Sequence, residues 1–261
     1  MLITKIYKPT EVKQAADELS KGELIAFPTE TVYGLGADAT NELAVKRVYL
    51  AKGRPSDNPL IVTVSSIEMM EKFARDISDD ARKLIKNFWP GSLTLVFNIK
   101  PNSLSKAVTG GLKTAAFRMP QSEVTRKLIE FARVPIVGPS ANSSGKPSPT
   151  TAAHVYHDLE GRIAGIVDDG PTQVGVESTI IDMSTEKPLI LRPGAVTVEE
   201  IEDVLQKQLG TDQHKIGADE TPKAPGMKYK HYAPDAQVLI VEEDKWKAAI
   251  TWAKEQSDRI G

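Results

Sequence analysis

Leu24-Ile25-Ala26-Phe27-Pro28-Thr29-Glu30-Thr31 decides the fold class, because four apolar residues run straight into a polar break opened by proline. Such a run is too short for a helix and reads as a buried strand. Helical patterns flank it. Before it, Thr10 precedes Val12, Ala15, Ala16 and Leu19 on one face, and Gly22 closes the segment. After it, Thr40 is placed to cap a helix carrying Leu43, Ala44, Val48 and Ala51. Residues 60–64 read as the next strand, and Ser78 introduces a helix with Ala81, Leu84, Ile85 and Phe88 inward. Leu93, Leu95, Phe97 and Ile99 then alternate with Thr94, Val96 and Asn98, the period of two that suits a sheet. Further strands are predicted at 114–119, 134–137, 165–168, 178–183 and 189–192, with helices at 123–132, 152–159 and 198–209. Thr197 and Glu200 form a capping box for the last helix. Strands alternating with helices indicate an α/β domain, and the strand pair around Leu93 and Thr114, with no helix predicted between, indicates a mixed sheet.

The chain has 261 residues, which suits one large domain or two modest ones. Its 33 Lys plus Arg against 35 Asp plus Glu leave a net charge of −2, which excludes a generally basic coat for nucleic acid. Without Cys there is no disulfide framework, zinc–thiolate site, iron–sulfur cluster or cysteine nucleophile. The polar start is no signal peptide, and no apolar run approaches the ~20 residues that span a bilayer, so a cytoplasmic protein without membrane contact is expected. From Gly210 to Asp235 the texture changes to Gly, Pro, Lys and His, which reads as a linker. Residues 238–241 then read as a strand, and Trp246, Ala249, Ile250 and Ala253 mark one helix face. One strand and one helix cannot close a core alone, so the expectation is a domain at 1–209, a linker at 210–236 and a cut second domain at 237–261.

Three stretches lack acids. Residues 44–57 carry Lys46, Arg47, Lys52 and Arg54 before Asp57; 100–122 carry Lys100, Lys106, Lys113 and Arg118; 133–157 hold the Ser/Gly/Pro-rich loop around Asn142 and Lys146. If these loops meet at one sheet edge, their N–H groups, hydroxyls and cations suit a polyphosphate. The plainer reading leaves the same cations solvated. Neither familiar nucleotide motif fits: Gly138 and Gly145 are too far apart for a P-loop, Lys146 is followed by Pro147, and Gly34-Leu35-Gly36 is only a fragment of a dinucleotide fingerprint. His154, His157 and Glu160 have a metal-ligand spacing but fit a wet helix face better. Trp246 and Trp252 read as packing residues rather than a stacking platform, and the Lys-rich 223–231 as solvated linker.

Pro28-Thr29-Glu30-Thr31-Val32-Tyr33-Gly34-Leu35-Gly36, followed by Lys52-Gly53-Arg54-Pro55 and Asn58-Pro59-Leu60, resembles the YrdC-like family of L-threonylcarbamoyladenylate synthases. Ser140-Ala141-Asn142, Ser144-Gly145, Pro147-Ser148, Glu177-Ser178-Thr179 and Leu191-Arg192-Pro193-Gly194 are similar to further family blocks in the same order. Ala224-Pro225-Gly226-Met227-Lys228-Tyr229, with His231-Tyr232, resembles the linker of the longer members, which continue into a Rossmann-like domain. The resemblance implies a twisted, largely mixed sheet with surrounding helices and an open positive cavity. It also implies synthesis of threonylcarbamoyl-AMP and pyrophosphate from L-threonine, bicarbonate and ATP. The product would feed N6-threonylcarbamoyladenosine formation in tRNA through a separate threonylcarbamoyl transferase, with weak tRNA contact at most.

By the same resemblance, Lys52 and Arg54 act on the phosphates, and Asn58, Thr114, Asn142, Thr150 and Arg192 complete the ATP site, with Ser148 nearby. Tyr232 would close over the nucleotide as a lid. Thr31, Thr63, Arg118, Ser140 and Ser178 would hold threonine; position 63 departs from the family, where His is frequent. Mg2+ accompanies the phosphates, with no protein ligand named. Locally structural roles compete: Thr31 capping a turn, Ser140 and Asn142 satisfying loop backbone, Arg192 pairing with Asp182. An alternative of another class is a non-catalytic RNA-binding protein using the same cavity, and a third is a carbamoyl-transferring enzyme with a different acceptor.

Overall fold

The chain enters its sheet at β1 (Lys5–Tyr7), crosses in α1 (Val12–Ser20), and returns through β2 (Ile25–Phe27) and β3 (Gly34–Asp38). This is a computed structural model, and it describes residues 2–211, 222–224 and 240–255. Next, α2 (Glu42–Lys52) leads to β4 (Ile61–Thr63), and the short α3 (Ile67–Glu71) and β5 (Ala74–Arg75) precede α4 (Asp79–Phe88). The long β6 (Leu93–Ile99) is joined through the single-turn α5 (Lys106–Thr109) to β7 (Thr114–Arg118), and α6 (Glu123–Ala132) leads to β8 (Ile136–Val137). After α7 (Ala152–Leu159) come β9 (Gly165–Val167), β10 (Thr179–Asp182), β11 (Leu189–Arg192), α8 (Val198–Leu205) and β12 (Gly210–Thr211). The helix α9 (Trp246–Glu255) lies in the last described segment.

The strands form one sheet in the order β1-β9-β2-β3-β8-β4-β7-β6-β10-β11-β12, with β5 added to β6. It is mixed: β4 and β7 run parallel, as do β6 and β10, whereas β6 and β7 pair antiparallel from Leu95↔Phe117 to Asn98↔Thr114. That antiparallel pair is where the predicted strands had no helix between them. Helices such as α1, α4 and α6 cover the sheet because each has an apolar stripe to bury. In α1 the residues Val12, Ala15, Ala16 and Leu19 are all buried, and α6 packs beside it through Leu128, Ile129 and Ala132. Burying a side chain such as Leu19 is worth roughly 1.5–3 kcal/mol.

Several details differ from the sequence expectation. Asn41, not Thr40, caps α2, its Oδ1 accepting from the N–H of Leu43 and Ala44; Thr40 instead donates to Asp38, and Leu43 points outward. The helix at 198–209 ends at Leu205, where Gln206 adopts a left-handed conformation. Four strands, β1, β3, β5 and β12, were not predicted, and two of them show why. In β3, Gly34 and Gly36 leave room for the Phe27 ring, since a Cβ on Gly34 would lie 2.5 Å from Phe27 Cζ. The Gly34-Leu35-Gly36 fragment is therefore a packing device. The other is β1, a strand only because Lys5 registers with Gly165, whose missing side chain admits the Tyr7 ring.

The sheet also runs into the segment expected as linker. Gly210 and Thr211 pair with β11, Lys223 reaches Asp182 at 3.1 Å, and Ala224 is buried against Ile61, Val96 and Leu191. Of the strand expected at 238–241, Ile240 and Val241 are not in a strand, and the rest lies outside the described residues. Trp246 and Trp252, expected as packing residues, are half-exposed on α9.

Candidate functional site

Arg118 and Arg192 end β7 and β11, and Ser178 stands just before β10. Because β6 and β10 are parallel and both neighbours of that pair antiparallel, these three ends meet at one sheet edge. Loops reach the same place from strand ends of both senses, because the sheet is mixed. They surround an open cavity that is lined by Thr31, Lys52, Arg54, Arg118, Ser140, Asn142, Ser178 and Arg192. Eight of the thirteen residues singled out in the sequence thus share one wall. Ser144, Lys146 and Glu177 line it too, and sequence reasoning gave none of them a role.

The loop after β8 is pinned from two directions. Backbone bonds tie Leu35 to Pro139, Ala141 to Tyr33, and Tyr33 to Pro149. From the other side, Lys52 at the end of α2 extends its ammonium into the loop. Its Nζ donates to the carbonyls of Ser140 and Asn142, the second at 2.6 Å, and to Asn142 Oδ1 at 3.4 Å. Burial, and then the nearby Arg54 charge, push the Lys52 pKa well below the usual ammonium range, while the three oxygens hold its protons. Asn142 uses its Nδ2 on the carbonyls of Ser143 and Lys146, so the side chain shapes the loop as well as facing the cavity.

Arg118 is buried and held through all three of its guanidinium nitrogens. Its Nε donates to Gly91 O at 3.1 Å, Nη1 to Thr31 Oγ1 at 2.8 Å, and Nη2 to Glu30 Oε1 at 2.6 Å. Glu30 also accepts from Ser92 Oγ and the Gln121 N–H. Burial raises the Glu30 pKa, but the Arg118 charge and these donors outweigh it and hold the carboxyl below its usual range. Thr31 is fully buried, so its hydroxyl orients Arg118 rather than merely capping a turn. Arg192 donates from Nε and Nη2 to Ser178 O, at 3.2 and 2.8 Å, and from Nη2 to Ser178 Oγ. Asp182, its suggested partner, is engaged by Lys223 and Ser184.

The remaining expected site residues lie elsewhere. Thr63 registers with Arg118 across β4 and β7 and lines a small recess behind the cavity with Thr29, Gly138 and Ser140. Asn58 is fully buried, with both amide atoms lacking partners. Thr114 sits at the start of β7, four residues or ~13 Å from Arg118. Thr150 bonds His154 Nδ1 and lines a neighbouring recess with Ser148, His157 and Asp158. Tyr232 lies outside the described residues.

Not every cation of the acid-poor stretches faces the cavity. Lys46 pairs with Glu42 and Arg47 with Glu23 at 2.6 Å, and Lys100 bonds Glu71 O, so the plainer solvated reading holds for them. His154 turns to Thr150 and Glu160 accepts from Tyr156; among the described residues no cluster of three His, Asp or Glu side chains is placed to hold a metal.

A family model described as "Telomere recombination", covering Sua5, YciO and YrdC, matches residues 17–194. A second, described as "Threonylcarbamoyl-AMP synthase, C-terminal domain", matches residues 196–261. Threonylcarbamoyl-AMP synthase of Bacillus subtilis is 53% identical over 232 residues, 89% of this chain and 67% of the relative. The synthase of Pyrococcus abyssi is 48% identical over 258 residues, 96% of this chain and 75% of the relative. The crystal structure of P. abyssi Sua5 complexed with L-threonine superposes with a TM-score of 0.89 at 47% identity, covering 98% of this chain and 77% of that one. Fold, cavity and relatives define a nucleotidyltransferase-type enzyme. The chain belongs to the threonylcarbamoyl-AMP synthase family.

Proposed function

We propose that this chain joins L-threonine, bicarbonate and ATP to give threonylcarbamoyl-AMP and pyrophosphate. Threonine and bicarbonate form an N-carboxylate, which attacks the α-phosphorus of ATP as pyrophosphate leaves. Both partners are anions, so the barrier falls when fixed positive charge and donors let them approach. The observation that carries this reading is the convergence of Lys52, Arg54, Arg118 and Arg192 on one hydroxyl-lined cavity. The L-threonine in the P. abyssi structure supports the amino-acid half.

In this reading Arg118 receives the threonine carboxylate, with Thr31, Ser140 and Ser178 around it and Thr63 behind. Arg54 and Arg192 face the phosphates, while Lys52 contributes charge and fixes the loop that carries Ser140 and Asn142. Asn58, Thr114 and Thr150 are proposed for ATP by resemblance, as is Tyr232 as a lid. ATP would bring Mg2+ as part of the substrate; among the described residues the cavity wall offers no set of carboxylates to hold the ion, and phosphate oxygens and water would serve as its ligands. The product passes to a tRNA threonylcarbamoyl transferase, with tRNA touching this chain weakly if at all, in the cytoplasm. Among the described residues no helix is long and apolar enough to cross a membrane.

The test is pyrophosphate release from ATP with threonine and bicarbonate omitted in turn. Release should require both. Turnover indifferent to both omissions overturns the reading, and salt-sensitive duplex-RNA binding without ATP dependence would favour the RNA-binding alternative.

A further inference from the structure

Joining threonine to bicarbonate releases a proton, and the cavity must have somewhere to put it. Threonine enters as an ammonium, whose nitrogen has no lone pair. To form the N–C bond the ammonium sheds one proton and the freed lone pair attacks the carboxyl carbon. A C–O bond then breaks, and the departing hydroxyl leaves as water with a second nitrogen proton. The balance is R–NH3+ plus HCO3− giving R–NH–COO−, H2O and one H+. We propose that Glu177 is the catalytic base that receives the threonine ammonium and takes this proton. The inference rests on the synthase reading above.

Among the described residues lining the cavity, Glu177 is the one carboxylate. It immediately precedes Ser178, half-buried on the wall, and Ser148 Oγ donates to its Oε1 at 2.5 Å, which fixes the group and leaves its other oxygen to meet a ligand. The neighbouring alternatives are committed. Glu30 is filled by Arg118, Ser92 and the Gln121 N–H. Lys52 directs its Nζ at three oxygens. Asp158 accepts from Ser143 N–H and Lys146 and faces the adjoining recess with His154 and His157. The charged groups sharing the wall with Glu177 are all cationic: Lys52, Arg54, Arg118, Lys146 and Arg192. They repel an ammonium, which both singles out Glu177 as its seat and favours loss of its proton. A cavity that gathers anions would gain nothing from an acid on its wall unless one substrate arrives with a positive end.

Glu177→Gln keeps an acceptor for Ser148 and removes the base. General bases contribute about 10^2–10^4-fold, so synthesis at pH 7 should fall at least a hundredfold. The variant's rate should then rise about tenfold per pH unit toward pH 9, as free amine replaces the missing base, while the KM for ATP stays within a few-fold. Pyrophosphorolysis of threonylcarbamoyl-AMP to ATP rearranges only bonds at phosphorus and should survive in the variant. Glu177→Asp, which retains the charge, should keep the wild-type pH profile at a lower rate, and it serves if the Gln variant does not fold. Wild-type synthesis by Glu177→Gln overturns the proposal. So does an equal loss of synthesis and pyrophosphorolysis without a changed pH profile, the mark of a purely structural role. Recovery by added Mg2+ overturns it too, by making Glu177 a metal ligand. Absence of product from the wild-type enzyme would instead remove the synthase reading itself.

Discussion

Glu30→Gln isolates the buried ion pair that holds Arg118. The two side chains are 4% and 10% exposed and meet at 2.6 Å. Removing one charge of such a pair strands the other away from water, which costs about 3–5 kcal/mol. Glutamine can still accept one bond, from Ser92 or Gln121, so the lower end, about 3 kcal/mol, is expected. Against a total stability of about 5–15 kcal/mol this is a large fraction, readable as a lower urea midpoint at unchanged slope. The pH dependence has a definite sign. Because the folded Glu30 pKa lies below its unfolded value, the stabilisation is fully present above about pH 4.5 and is lost as pH falls through the folded pKa. The gap between wild type and variant should therefore be widest at neutral pH and shrink in acid. A difference below about 1 kcal/mol at pH 7, or one that stays constant down to pH 3, would refute the argument.

Three further outcomes follow from the geometry. Gly34→Ala places a Cβ 2.5 Å from the Phe27 ring in the core, so thermal unfolding should report a loss of about 1–3 kcal/mol. Arg54→Ala, in a half-buried polar loop, should keep its circular dichroism spectrum while kcat/KM for ATP falls by about ten- to a hundredfold, the worth of one charge-assisted contact; an unchanged value would show that Arg54 does not face the phosphates. Lys52→Met leaves the Ser140 and Asn142 carbonyls without their donor, so both the urea midpoint and ATP affinity should drop together. A fall in affinity at full stability would mean that the lysine touches phosphate without organising the loop.

Helices were legible wherever caps and apolar stripes were local: α6 and α7 run over the residues their periodicity marked, and the Thr197–Glu200 capping box closes as written. Part of the cavity lining was legible, because acid-poor stretches and ordered family blocks both selected Lys52, Arg54 and Asn142, and the acid-poor stretch at 100–122 held Arg118. What escaped were features defined by a partner far along the chain. Strand β1 exists through Gly165, β3 through the ring of Phe27, and the orientation of Arg118 through Glu30, 88 residues away. Glu177 lay in a quoted motif, yet only the assembled cavity shows that it stands among cations as the one acid of the described lining residues.

Sequence alone therefore determined the amphipathic helices and the apolar strands, since hydrophobic period, capping and residue type act over a few neighbours. Only the tertiary structure decided strand order, which cations face the cavity and which face solvent, and how each charge is held. Those outcomes depend on burial and on contacts between distant segments, and both come into being only when the sheet closes.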